Sequence, residues 1–172
     1  MPTPNLTSVD QPEFLTGIHY IAARIRESGW APHFIIGVGR GGLTPAVYLS
    51  HATSVPMLSV DYSSTIPDFS AELLIKLGRR SVADRLLFVD DINDSGGTIA
   101  HLKGALAEAG GNLANVRFAT LIDNLASAER VDYRFRTIDR SLNKDWFVFP
   151  WEQVSPVDKL IHDSEVVPAR LA

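Results

Sequence analysis

Apolar residues recur along the chain in two alternating rhythms. Phe14, Ile18, Ile21 and Ile25 fall at helical spacing, so one face of a helix over this stretch is core. Asp10-Gln-Pro-Glu13 has the D-x-x-E spacing of a capping box, with proline in the first turn. Gly29 ends the helix, and residues 1–9 read as a loose, Pro-bearing lead-in. Short apolar runs at Phe34–Val38, Val55–Val60, Arg85–Val89, Val116–Ile122 and Tyr133–Ile138 read as strands. Gly39-Arg-Gly-Gly42 breaks the first of these. Leu43, Val47 and Leu49 predict a helix after it, with Pro45 tolerable in the first turn. Ile99, Leu102, Leu106 and Ala109 predict another, closed by Gly110-Gly111. Asp61 to Arg80 is the least regular stretch and reads as a lid or binding loop. Within it, Ala71 to Leu77 fits a helical turn or a strand. Trp146-Phe-Val-Phe-Pro-Trp151 is an aromatic run that Pro150 keeps from being an ordinary central strand. The tail beyond it is polar and marked by proline. Strands alternating with helices predict an α/β fold with a mainly parallel sheet. Ligands of such sheets bind beyond the carboxyl ends of the strands, where both glycine-rich segments, Gly39–Gly42 and Ser95–Gly97, fall.

Composition narrows the function. At 172 residues the chain suits one domain with a real core. A formal charge of -4 and a pI near 5.7 argue against nucleic acid as the partner. Without cysteine there is no disulfide, thiolate metal site or thiol nucleophile. No apolar stretch reaches the roughly 18 residues of a membrane span. The N-terminus lacks the basic and apolar regions of a signal peptide, so the expected location is the cytoplasm. The five histidines lack metal-ligand spacing, and no G-x-S-x-G motif supports acyl transfer.

The chemistry concentrates in Phe88-Val-Asp-Asp-Ile-Asn-Asp-Ser-Gly-Gly-Thr98. An apolar strand stops in Asp90 and Asp91, Asp94 follows, and then comes a glycine pair at a helix start. Side chains alternate along a strand, so Asp90 and Asp91 are expected on opposite sides, unable to reach one atom together. Ser95 to Thr98 offers backbone N–H groups and hydroxyls at a helix N-terminus, which is an anion site suited to phosphate. Carboxylates beside a phosphate make sense for binding sugar hydroxyls or a divalent cation. Two other readings compete. Gly37-Val-Gly39-Arg-Gly-Gly42 fits G-x-G-x-x-G, and Asp61 follows at the distance of a ribose-binding acid in a dinucleotide fold. That reading leaves Asp90 to Thr98 without a role. Asp91 to Ser95 imitates a calcium loop, but its twelfth position is Leu102, where a Glu is required.

Val89-Asp-Asp-Ile-Asn-Asp-Ser-Gly-Gly-Thr98 resembles the phosphoribosyl-pyrophosphate motif of the type I phosphoribosyltransferases. Ile36-Gly-Val-Gly-Arg-Gly-Gly-Leu43 resembles the family's pyrophosphate loop. Trp146-Phe-Val-Phe-Pro-Trp-Glu152 resembles the base-binding hood of the xanthine-guanine branch. The three motifs stand in the family's order over roughly residues 33–152. The resemblance implies the type I fold, with a core at about 30–125 and a small C-terminal hood at about 126–172 that includes the N-terminal segment. It implies a Mg²⁺-dependent purine phosphoribosyltransferase acting on guanine, xanthine or hypoxanthine, as a homodimer or homotetramer. Asp90 and Asp91 would bind the ribose hydroxyls, Asp91 on the metal side. Ser95, Gly96, Gly97 and Thr98 would hold the 5′-phosphate, and Arg40 and Gly41 the pyrophosphate. Asp94, the catalytic candidate, would face N7 of the purine. Trp146 would stack on the base, and the backbone of Phe147 would read its edge.

Two features depart from the family pattern. Where the 6-oxopurine enzymes usually carry a base-contacting Lys, this chain has Asp123-Asn124, and Asn124 offers one uncharged hydrogen bond. The lid holds no basic residue before Lys76, so closure over pyrophosphate falls to Lys76, Arg79, Arg80 or another chain. A non-catalytic nucleotide binder of the same fold and a dinucleotide-binding oxidoreductase therefore stand beside the enzyme as alternatives.

Overall fold

The alternation of strands and helices builds the parallel sheet that the apolar rhythm predicts. The computed structural model describes residues 5–61 and 71–165. Its elements are β1 (Leu6–Ser8), α1 (Gln11–Glu27), β2 (Phe34–Val38), α2 (Gly39–Thr53), β3 (Met57–Val60), α3 (Ala71–Ser81), β4 (Leu86–Asn93), α4 (Gly97–Glu108), β5 (Val116–Asn124), β6 (Tyr133–Ile138), β7 (Trp146–Val148) and α5 (Val157–Glu165). Five strands pair in parallel in the order β3-β2-β4-β5-β6. Phe34 lies opposite Leu86, and Leu86 opposite Val116.

Period-two alternation divides the sheet's side chains between two cores. Ile35, Leu87, Val89, Ala119 and Leu121 pack with Phe14, Ile18, Ile21 and Ile25 of α1 and with Ala46 and Leu49 of α2. Ile36, Val38, Leu86, Phe88 and Phe118 pack with Leu74 and Leu77 of α3 and with Ile99, Leu102 and Leu106 of α4. Each fully buried Leu, Ile or Phe contributes about 1.5–3 kcal/mol. The central strand β4 is apolar on both faces from Leu86 to Val89, as a strand covered on both sides must be.

Helix α1 is capped as its sequence predicts: the Asp10 carboxylate accepts the backbone N–H of Glu13 at 2.7 Å. Glu13 does not complete the box; its carboxylate instead takes Nη1 of Arg136 at 2.7 Å. The leading segment is more ordered than expected. Leu6, Thr7 and Ser8 pair in parallel with Trp146, Phe147 and Val148, forming a second, two-stranded sheet.

Three other expectations are corrected. Gly39 to Gly42 is not a loop but the first turn of α2, which begins as β2 ends. The glycines permit close packing rather than a turn: a Cβ at Gly42 would collide with the carbonyl oxygen of Val89 and stand 3.1 Å from Cα of Asp90. Pro45 consequently lies beyond the first turn, inside the helix, and withholds the N–H that would bond the Gly41 carbonyl. Ala71 to Ser81 is a helix, not part of a lid. Gly78 lets it close on α4, where an added Cβ would come 2.7 Å from that of Ala109. The polar tail contains α5, which buries Leu160 and Ser164.

The packing of α2 predicts opposite outcomes at two glycines. Gly42→Ala should destabilise the fold by about 1–3 kcal/mol, because backbone faces the new methyl group. Gly104→Ala, in α4 with nothing within 4 Å of an added Cβ, should stabilise it by up to about 1 kcal/mol. Urea unfolding of the two variants checks both signs.

Candidate active site

Strand β4 carries its two carboxylates past the end of the apolar core. Asp90 and Asp91 are strand residues, and β4 runs on to Asn93, leaving only Asp94 to Gly96 as loop before α4. The side chains leave on different sides. Asp91 lies against the first turn of α2, its carboxylate touching the place where a Cβ of Gly41 would stand. Asp90 lines a small cavity of about 10 Å³ with Thr98 of α4 and Thr120 of β5. The hydroxyl of Thr120 is buried, with no hydrogen-bond partner among the described residues.

The two carboxylates diverge as strand alternation predicts. Asp90 Oδ1 accepts the N–H of Asp91 at 3.0 Å, and Asp91 Oδ1 accepts that of Ile92 at 2.7 Å. Both side chains therefore fold back on the strand's own backbone, close enough for the charge of each to bear on the other. Burial raises the Asp90 pKa well above the ordinary value, and the charge of Asp91 raises it further. Asp91 is pushed up to about 7, by burial first and then by the charge of Glu152. Glu152, raised by burial, accepts the N–H of Phe149 at 3.0 Å and is drawn down by Arg40. The end of β4 thus gathers Asp90, Asp91, Glu152 and Arg40. Among the described residues no cluster of three or more His, Cys, Asp or Glu stands ready to enclose a metal. Two crowded carboxyl groups nevertheless fit a hard divalent cation of the magnesium type. Such a cation takes one or two carboxylates and fills its octahedron from water and substrate phosphates.

The loop after β4 is held from below by the segment after β5. Asn124 Nδ2 donates to the carbonyl of Asp94 at 2.9 Å, and Ala128 N–H to that of Ser95 at 3.2 Å. Asn93, 4 % exposed, is fixed by Asp123 at 2.8 Å and by the hydroxyl of Ser127 at 3.1 Å. Gly96 takes φ 90° and begins α4. Its positive φ and the 2.7 Å separation of an added Cβ from the Glu129 nitrogen both demand glycine. Ser95 Oγ accepts the N–H of Gly97 at 3.2 Å, and Gly97 and Thr98 occupy the first turn of α4. The amide ends of α2 and α4 thus flank the carboxylate pair, a setting that favours anions at either side.

Three sequence expectations are redirected. Asn124 is 2 % exposed, and its side-chain oxygen accepts the N–H groups of Ala126 and Arg140, both at 3.2 Å. Its amide shapes the loop and is not presented to a base. Arg80 cannot close over the carboxyl edge. It pairs with Asp84 at 2.9 Å and lies 4.7 Å over the ring of Phe34, at the opposite end of the sheet. Lys76 and Arg79 stand on exposed positions of α3, while 62–70, the rest of the expected lid, lies outside the described residues. Asp94 faces a buried arginine that the sequence did not mark. Arg140 Nε donates to Asp94 Oδ1 and Nη2 to Oδ2, both at 2.8 Å.

Trp146 and Phe147 sit on β7. Phe147 is buried, with Arg136 and Arg140 at 5.0 and 5.5 Å from its ring centre. Trp146 is half-buried, and its indole N–H is enclosed with no partner among the described residues. Trp151 stacks on Phe149 at 5.0 Å and meets Phe14 edge-on at 5.5 Å, which makes it core. Glu152 was visible only as the last residue of the hood motif.

A family model described as the phosphoribosyl transferase domain matches residues 6–154. The fold is similar to that of the purine phosphoribosyltransferase from Pyrococcus horikoshii Ot3, with 26% identity, TM-score 0.65, and coverage of 89% of this chain and 97% of that one. It is also similar to the xanthine-guanine-hypoxanthine phosphoribosyltransferase of Helicobacter pylori, at 18% identity, TM-score 0.65, and coverage of 93% and 99%. A Neisseria gonorrhoeae protein solved with bound ppGpp aligns at 20% identity, TM-score 0.71, and coverage of 96% and 98%. The chain belongs to the phosphoribosyltransferase family, with the type I fold, and is most like its purine members. The family match overturns the dinucleotide-binding reading; of its glycines, Gly37 lies in β2, and Gly39 and Gly42 lie in the first turn of α2.

The crowded carboxylates predict a pH signature. From the ordinary 3.8 up to about 7, the unfolded chain releases the Asp91 proton while the folded protein keeps it. Folding stability is therefore lost as pH rises through this window. In metal-free buffer, Asp91→Asn should gain stability relative to the parent between pH 4 and about 7. Thermal unfolding at several pH values checks this, and a pH-independent difference would contradict it.

Proposed function

We propose that the protein transfers the phosphoribosyl group of 5-phosphoribosyl 1-pyrophosphate to a purine base in a salvage reaction, with guanine, xanthine or hypoxanthine as acceptor. The observation that carries the reading is the carboxylate pair at the end of β4 flanked by the amide ends of two helices. That arrangement offers acceptors for ribose hydroxyls between two anion sites, and the donor has a phosphate at one end and a diphosphate at the other. The 26%-identical purine phosphoribosyltransferase supports the same acceptor class.

In this reading Ser95, Gly96, Gly97 and Thr98 hold the 5′-phosphate, and Arg40 and Gly41 hold the pyrophosphate. Asp90 and Asp91 accept from the ribose hydroxyls, and Asp91 faces the metal. A bound Mg²⁺ supplies charge neutralisation on the leaving pyrophosphate. A purine ring nitrogen attacks C1, the bond to pyrophosphate breaks, and a nucleoside monophosphate forms. The sugar becomes cationic on the way, so the chain's task is positioning and electrostatic stabilisation. Trp146 stacks on the base for about 1–3 kcal/mol. The backbone of Phe147 reads its edge, and Asp94 accepts a proton or hydrogen bond at N7. The protein works in the cytoplasm as a homodimer or homotetramer. A nucleotide binder without turnover is the second reading, favoured by the commitment of both Asp94 oxygens to Arg140.

The test incubates the protein with the donor, Mg²⁺ and each of guanine, hypoxanthine, xanthine and adenine, reading pyrophosphate and nucleotide. The expected outcome is turnover of 6-oxopurines, slowed about 100-fold or more by Asp94→Asn, as for loss of a proton-handling group. Donor binding with no turnover on any base supports the second reading. Absence of donor binding sinks both.

A further inference from the structure

Arg140 lies 4 % exposed between two parts of the site that share no strand. On one side it grips Asp94 of the loop after β4 through two parallel N–H···O bonds at 2.8 Å. On the other, its Nη1 donates to the carbonyls of Asp145 at 2.7 Å and Asn143 at 3.4 Å, just before β7. Its guanidinium stands 5.5 Å from the Phe147 ring centre. Its own N–H is taken by Asn124, whose amide also holds the Asp94 carbonyl. A guanidinium carries five N–H donors and no acceptor, and four of the five are used here in fixed directions. A structural filler would not need this fork. A bidentate pair fixes both the plane and the charge of the carboxylate it meets.

We propose that Arg140 is the positioning residue of the base site: it holds Asp94 as an acceptor-only carboxylate and ties it to the strand bearing Trp146 and Phe147. Asp94 and the hood then move as one body. Each Asp94 oxygen keeps a lone pair, so the carboxylate still accepts an N–H from a ligand. It does not donate, which selects a base that presents an N–H at that point and rejects one that presents only a lone pair. This role rests on the reading of Asp94 as the base-facing group.

The experiment compares Arg140→Met, Arg140→Lys, Asp94→Asn and the Arg140→Met/Asp94→Asn double variant in the donor-plus-base assay. In parallel, amide hydrogen exchange follows segments 93–98, 139–148 and 34–38. Arg140→Met should lower kcat/KM for the base about 100-fold while KM for the donor stays within threefold. Lysine should not restore activity, because an ammonium cannot reproduce the fork. The double variant should be no slower than the slower single variant, since Arg140 acts through Asp94. Exchange should quicken in 93–98 and 139–148 together and stay unchanged in 34–38. Equal effects on base and donor, additive losses, or quickening in only one of the two segments would overturn the proposal. If the parent protein has no turnover, the functional reading fails, and the exchange result alone decides the coupling. If Arg140→Met does not fold, the lysine variant is read in its place, and full activity there overturns the role.

Discussion

The first turn of α2 rests on the backbone of β4 with nothing but hydrogen at Gly42 between them. The site depends on this approach. It brings Gly41 against the Asp91 carboxylate and sets the helix's free N–H groups beside a strand end loaded with acid. Any side chain at 42 would lift α2 off the sheet and carry Arg40 away with it. Pro45, one turn further on, leaves the Gly41 carbonyl without its helical partner. This turn is therefore shaped by what it must face rather than by helix propensity, which runs against three glycines and an interior proline.

Acid crowding is the second theme. The charge of Asp91 bears on Asp90, and that of Glu152 on Asp91. A fold selected only for stability would separate them. Burying acids this close together costs stability near neutral pH, a cost that the cation of the proposed reaction would offset. The Arg140–Asp94 pair solves the opposite problem. A desolvated ion pair gains little net stability, but full use of its hydrogen bonds fixes geometry, which a loop of Asp, Ser and Gly cannot do for itself.

The sheet was legible because covered parallel strands leave unbroken apolar runs, and all five expected strands are recovered, β3 starting two residues late and β4 running on through the acids to Asn93. The loop after β4 was legible because acids followed by a glycine pair stand out at the end of an apolar strand. What failed to show shares one cause. Gly39–Gly42 looks like a loop by composition, and only the nearness of β4 reveals why glycine is needed there. Leu74, Leu77 and Ser81 do have helical spacing, but Gly78 hid it, and that glycine exists for contact with α4. Arg140 lies in a polar turn with no period and no motif. Its importance comes from Asp94, 46 positions away, and separation of that kind leaves no mark in a local window. Asn124 reads as offering one hydrogen bond for the same reason: it makes three, to partners in three different segments.

The small β1–β7 sheet joins residues roughly 140 positions apart. Its two short strands are stitched by Thr7 to Asp145 at 2.7 Å and by the Asn5 carbonyl to Trp146. Closing so long a loop is entropically unfavourable until the main sheet has already brought its ends near. The β1–β7 pairing is therefore expected to follow the main sheet in folding. Under the proposed reading, the residues assigned to the base sit on this dependent pair, whereas those assigned to the phosphates sit where α2 and α4 meet the main sheet.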